Sequence, residues 1–410
     1  MPLVSSPVLK TIFAAKGNFA QGKPPGRKVL SGIEVAPFRD HADAAVCISA
    51  DFEMSWAWRG RSADTARRKA IDERRNIPHI LRLLDEYAVP ITWATVGHLF
   101  LESCTRSKSG RAHADMPRPP VNPPWDGDWY SHDPCSNATK EPLWYAPDLI
   151  RLIMQSKAPH EIGTHSFSHI NFFAFRSTAE LIQKELDACI AAMRSFGLKP
   201  RSLVFPHNIA EYSYSPLLAS RGITAVRHRD DNVRLSYPER TSSGIYKIYE
   251  SMNLRKAAYY NYPDKAKIFI QKAIQRQAAY SLWFHPSDPS ILFEIELRAI
   301  LRYISEERNR GRIWVTTMQD LAAYCEAREQ VQITADRTDG TLTVYLRSSL
   351  DTSKYGTPAI SLLIPVDDKP RSASLELKNG ERMPLHAGPI SGGRLLVNVP
   401  TSTSAVQVTF

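Results

Sequence analysis

The chain has 410 residues, 43% hydrophobic and 23% charged, a composition that excludes a disordered chain and allows one large core and a smaller one. The net charge of +10 makes anions in general the expected partners, without choosing among phosphate ligands, an anionic membrane face and nucleic acid. A run of about 18 apolar residues is missing, which excludes a membrane-spanning helix, and five scattered cysteines without a C-x-x-C pair argue against a disulfide framework.

Residues 1–40 carry Lys, Arg, Pro and Gly without sustained periodicity and read as a basic lead-in; they show no convincing leader peptide, so a cytoplasmic location is expected. An apolar run at 44–48 has the length of a buried strand and ends at Ser49-Ala50-Asp51. Ile77, Ile80, Leu81, Leu84 and Tyr87 repeat at three- and four-residue steps, which predicts a helix within 62–88. A strand follows at 90–96. Prolines and aromatics then break every period over 103–147, giving a loop of roughly forty residues, a length that is usually functional when ordered.

Helices are expected at 149–155, 179–196 and 318–327, and short strands at 203–205, 224–226, 281–284 and 312–316. Such alternation predicts an α/β domain over 41–328 with a mainly parallel sheet or barrel. From 329 to 410 the rhythm changes to period two, as in Leu342/Val344/Leu346, Ile360/Leu362/Ile364 and Leu395/Val397/Val399. Gly340, Asn379-Gly380 and Gly392-Gly393 mark the turns. That pattern predicts a small antiparallel β-sandwich as an accessory domain.

Gly163-Thr-His165-Ser-Phe-Ser-His169 places two histidines at i and i+4, a spacing that on a helical turn lets two imidazoles share a metal. Asp51 and Glu53 sit at the end of the first strand, where a barrel collects its catalytic groups, and their alternation points both carboxylates the same way if the strand continues. His285 closes the apolar strand Ser281-Leu-Trp-Phe. Trp129 and Asp133, within the long loop, could form a sugar platform, with aromatic faces stacking on pyranose rings; an aromatic minicore that anchors the loop is the competing reading. His132-Asp133-Pro-Cys135 by itself is too sparse for a second metal site. The cluster Arg59-Gly-Arg61…Arg67-Arg68-Lys69…Arg74-Arg75 is either a solvated helix face or a phosphate contact near the site.

Taken in order, Asp51/Glu53, His165/His169, Phe205-Pro206-His207-Asn208 and Leu282-Trp-Phe-His285 resemble the polysaccharide deacetylase family, the NodB-homology group of carbohydrate esterase family 4. The resemblance covers roughly residues 40–325. It implies a distorted (β/α) barrel and a divalent metal, usually zinc, held by Glu53, His165 and His169, with Asp51 as general base and His285 as general acid. It also implies substrate contacts near Trp56, Pro206, His207 and Asn208. The third motif carries no arginine to orient the base, and Asp230 and Asp231 are the nearest candidates to tune the acid histidine.

The expected function is metal-dependent removal of an N-acetyl group from an amino sugar in a glycan or glycan precursor. The positive charge is compatible with a nucleotide- or lipid-phosphate-linked substrate and a peripheral membrane contact. Two alternatives stay open: hydrolysis of a non-sugar amide or a formyl group, and a catalytically inactive carbohydrate-binding relative. Nucleic acid is not an expected partner, because basic and aromatic residues do not interleave in a stripe.

Overall fold

All nine residues of β3 (Ala44–Phe52) are buried, as expected for a strand covered on both faces in the middle of a parallel sheet. The computed structural model describes residues 20–120, 127–173, 176–255, 261–366, 369–385 and 390–410. The first nineteen residues of the lead-in and part of the long loop, 121–126, lie outside them. β11 (Ala279–Phe284) runs parallel along one edge of β3, while the other edge is divided. β12 (Ile313–Thr316) pairs with its first half and β4 (Thr92–Thr95) with its second. That division is the distortion in the barrel.

The sheet continues from β4 through β5 (Glu161–Thr164), β6 (Ser202–Val204), β7 (Ala225–His228) and β9 (Tyr246–Tyr249) in parallel, and ends at the antiparallel β8 (Glu239–Arg240). β10 (Met252–Leu254) pairs with the far side of β11. The result is a curled (β/α) half-barrel, the architecture that the resemblance implies. Its first helix, Ala63–Glu86, is capped by Ser62, whose side chain accepts from Thr65 N. It buries Ala66, Ala70, Ile77, Ile80, Leu81 and Leu84, one stripe of the predicted repeat. β5 was not foreseen. It is four residues long and contains Gly163, where a Cβ would stand 3.0 Å from the Ser202 carbonyl oxygen, so only glycine lets β5 and β6 approach this closely. Among the described residues no helix is long and apolar enough to cross a membrane.

After the helix Met318–Gln330 come two five-stranded antiparallel sheets. β13 (Val331–Thr338), β14 (Thr341–Ser348), β20 (Thr403–Thr409), β16 (Ser372–Leu377) and β17 (Arg382–Pro384) form one. The other contains β15 (Ala359–Pro365), β19 (Arg394–Pro400) and β18 (Ile390–Ser391), and it recruits β1 (Lys28–Leu30) and β2 (Ile33–Val35). Val344, Leu346, Leu362, Ile364, Val397 and Val406 share one buried core between the sheets. The lead-in reading of 1–40 is therefore corrected for 28–35. Ile33 and Val35 complete that core, and Lys28 Nζ donates to the carbonyls of Arg328 and Glu329. β1 pairs only with the adjacent β2, and β2 with β15 some three hundred residues away, and strands of three residues leave no local period to read.

Candidate active site

The carboxyl ends of the parallel strands converge on one cleft of about 620 Å³. β3 delivers Asp51 and, just past its end, Glu53. The backbone turns sharply there, with Met54 at φ 51°, a left-handed conformation that costs a non-glycine residue energy. Buried Glu73, on the first helix, holds that turn by accepting from Glu53 N and Met54 N at 3.0 and 2.8 Å. Burial, with the charge of Glu53 beside it, pushes the Glu73 carboxyl up to about 8.

Glu53 Oε1 lies 3.1 Å from both His165 Nε2 and His169 Nε2, and its other oxygen is 3.7 Å from His285 Nε2. The two histidines do not ride on a helical turn, as their spacing suggested. They lie in an irregular loop after β5, with Ser166 at φ 60° and His169 at φ 59°. Glu185 braces that loop from a neighbouring helix, accepting from Ser168 N and Oγ at 2.8 and 2.6 Å. Left-handed residues substitute for helix in bringing both rings to one point.

His165 Nδ1 donates to the Val204 carbonyl at 2.7 Å, so a neutral His165 presents a lone pair at Nε2. A lone pair facing a carboxylate is repulsive unless a cation lies between them. The donor set of one carboxylate and two imidazoles therefore fits a divalent metal of the zinc type, with the outer hydrogen bond that such ligands carry.

Asp51 is held from across the barrel. Arg227, at the end of β7, donates Nη1 and Nη2 to its two oxygens at 2.6 and 2.7 Å, and its guanidinium sits 4.4 Å from the Trp283 ring centre. Arg227 also donates to Ser49 Oγ and Asn208 Oδ1, so both terminal nitrogens of the buried cation are fully used, while its Nε has no partner among the described residues. Burial alone would raise the Asp51 carboxyl; the Arg227 charge and hydrogen bonds outweigh it and hold it below the usual range. Opposite, His285 N donates to Asp288 Oδ2 at 3.3 Å, and Nδ1 stands 3.6 Å from the same oxygen. Burial lowers the His285 pKa, but the charges of Glu53, Asp288 and Asp51 together leave it above the ordinary histidine value.

Asp51, Glu53, Trp56, Trp129, His169, His207, Asn208 and His285 line the cleft, and His165 lies directly beneath Glu53. Trp129 is fixed by Nε1 donation to Ser168 Oγ at 2.8 Å. Burial holds His207 down to about 3, and its ring stands 4.7 Å from that of His169. Asp133 and Pro206 do not line the cleft: both are buried, and Asp133 is fully enclosed under the long loop. Asp230 does not reach His285; it pairs with Arg234 at 2.7 Å.

Sequence reasoning missed Arg227, Asp288, Glu73 and the tryptophans Trp58 and Trp283. Asp288 was within reach of a sequence argument, three residues after His285. Arg227 directly follows the strand expected at 224–226, but nothing local says which carboxylate it meets. Six arginines line the same cleft, Arg59, Arg61, Arg118, Arg176, Arg229 and Arg255, against the two carboxylates of Asp51 and Glu53. Arg59 is buried between Trp56 and Trp129, 4.8 and 4.4 Å from their ring centres.

Residues 67–226 match the family model for polysaccharide deacetylases, a span that includes His165, His169 and the 205–208 motif. Asp51, Glu53, Arg227 and His285 fall outside it. A Mycobacterium smegmatis crystal structure named as a polysaccharide deacetylase superposes with a TM-score of 0.51 at 17% identity, covering 78% of this chain and 100% of that one. A Pseudomonas aeruginosa structure of the same name gives 0.47 at 12% identity, and PuuE allantoinase gives 0.47 at 13%; each covers 70% of this chain and 92% of its own. No curated protein matches the sequence.

Proposed function

We propose that this chain, which carries a polysaccharide deacetylase domain, is a metal-dependent hydrolase that removes the N-acetyl group from an amino sugar bearing an anionic group. The observation that carries the reading is the convergence of Glu53 on His165 and His169, flanked by Asp51 on Arg227 and by His285 on Asp288. Glu53, His165 and His169 would hold the metal, and zinc is the ion their donor set suits best. Such an ion supplies Lewis acidity to the acyl oxygen and makes water acidic near neutral pH.

The protein's own groups divide the proton work. Asp51, ionised and oriented by Arg227, takes a proton as water attacks the acyl carbon. His285, whose pKa the surrounding carboxylates raise, gives a proton to the departing nitrogen as the carbon–nitrogen bond breaks. Acetate and a free amine result. An amide nitrogen leaves poorly as an anion, so the acid is the more demanding role.

Tryptophan faces at Trp58 and Trp129 suit stacking on a pyranose ring. The arginine rim suits a phosphate or carboxylate on the substrate, since guanidinium forks match those groups. A phosphate-linked sugar is the substrate class that uses both. We assign the chemistry to the barrel within 41–328 and an accessory role to the sandwich formed by 329–410 with 28–35. Metal analysis followed by acetate release from N-acetyl sugars, free and phosphate-linked, tests the proposal. Metal-dependent release with preference for phosphate-linked sugars is expected, and a metal-loaded protein that releases nothing from any of them would refute it.

A further inference from the structure

Beneath the long loop, away from the cleft, His98, Cys104, His113 and Asp133 bring four ligand atoms within 4.8 Å of one another. His98 sits on the short turn Gly97–Phe100 after β4, part of the rigid barrel, whereas the other three come from the loop. His98 and Asp133 are fully buried and His113 is nearly so.

The orientation of His98 singles this cluster out. Its Nδ1 faces the Trp144 carbonyl at 3.4 Å, which fixes the proton on that nitrogen and leaves a lone pair at Nε2. Nε2 is buried, lies 3.0 Å from Asp133 Oδ2, and lacks the alignment of a hydrogen bond. His113 Nε2 approaches the same oxygen at 2.6 Å, and Cys104 Sγ is 3.5 Å from it. Two donors, His113 and Cys104, thus crowd one carboxylate oxygen, with the His98 lone pair aimed into the group. The outer bond to a backbone carbonyl repeats the arrangement of His165 on Val204.

We propose that these four side chains form a second, structural zinc site. Two imidazoles, a thiolate and a carboxylate make a closed four-coordinate set, and the thiolate selects zinc over magnesium or calcium. Its place explains its use. The loop it ties to the barrel carries Arg118 and Trp129 into the cleft, and a loop of this length is entropically costly to hold shut without a clasp. The site supplies no catalytic group; it positions one wall of the cleft.

The test uses the full-length protein loaded with cobalt in place of zinc. A thiolate ligand gives cobalt a near-ultraviolet charge-transfer absorption, and the Glu53 site has no sulfur donor, so the band reports on the second site alone. The band is expected in the wild type and in His165→Ala/His169→Ala, and is expected to vanish in Cys104→Ser. Zinc content should fall from about two equivalents per chain to about one in Cys104→Ser and in His113→Ala. A reduced wild-type protein without the band, or an unchanged zinc count in a folded Cys104→Ser, would overturn the site and show a hydrogen-bonded polar cluster instead. Should Cys104→Ser fail to fold, the wild-type spectrum decides. Failure of the catalytic reading would leave the band untouched.

Discussion

Arg227 meets Asp51 edge to edge, with two hydrogen bonds of 2.6 and 2.7 Å between groups that are both almost wholly buried. The pair joins the ends of β7 and β3, which have three strands between them in the sheet. Removing one partner leaves an uncompensated buried charge, which typically costs about 3–5 kcal/mol. Arg227→Gln should therefore lower stability by a few kcal/mol and activity by at least about a hundredfold. The sign of the pH effect follows. Arg227 depresses the Asp51 pKa, so its loss should move the acid limb of kcat/KM to higher pH. An acid limb that stays in place in a folded variant would argue that Asp51 is not the base.

The two carboxylates should separate by phenotype. Glu53 touches both histidines, whereas Asp51 is occupied by Arg227. Glu53→Ala should lose the metal of this site, while Asp51→Asn should keep it and lose turnover. Metal analysis of both variants, read together with acetate release, checks the assignment. Reversed metal contents would exchange the two roles.

His285 as acid predicts a substrate-dependent loss. His285→Asn should slow amide hydrolysis by roughly 10²–10⁴. An aryl ester, whose leaving group needs little protonation, should suffer far less. Parallel losses on both substrates would indicate that His285 supports the site without donating a proton.

Glu161 predicts how stability depends on pH. It is buried in β5, accepts from Thr92 Oγ1 at 2.7 Å and Gln319 N at 3.0 Å, and burial raises its carboxyl to about 7. A carboxyl raised in the folded state binds its proton more tightly there than in the unfolded chain. Its contribution is present below about 4.5 and is lost as pH rises through about 7. Glu161→Gln should flatten that part of the profile, measured as urea midpoints at pH values from 5 to 8. An unchanged slope would place the dependence on another group.

The arginine rim predicts selectivity. Arg229 is 62% exposed and pairs with Glu250 at 3.8 Å, a long, solvated contact that a substrate anion can replace. Arg229→Ala should raise KM for a phosphate-linked sugar by about three- to tenfold at low salt and little for its neutral counterpart, with the difference shrinking as salt screens the contact. Equal effects on both substrates would remove Arg229 from anion recognition.

The alternating β-structure after 330, the first helix and the buried first strand were legible in the sequence because each is a local period: 3.6 residues for Ile77, Ile80 and Leu84, two for Leu342, Val344 and Leu346, and an unbroken apolar run for β3. The order of Asp51/Glu53, His165/His169 and His285 was legible too, the carboxylates and His285 as residue types at strand ends and the histidine pair by its spacing. Tertiary structure alone decided what each residue meets. It set Arg227 on Asp51, 176 residues away, through the register of parallel strands. It bent the His165–His169 loop through left-handed residues where spacing suggested a helical turn, and it drew residues 28–35 into the C-terminal core. It also took Asp133 from the expected sugar platform and buried it against His98 and His113. The physical reason is common to all four: periodicity reports which face of an element is buried, whereas an ion pair, a ligand set or an edge pairing depends on which distant element arrives at that face.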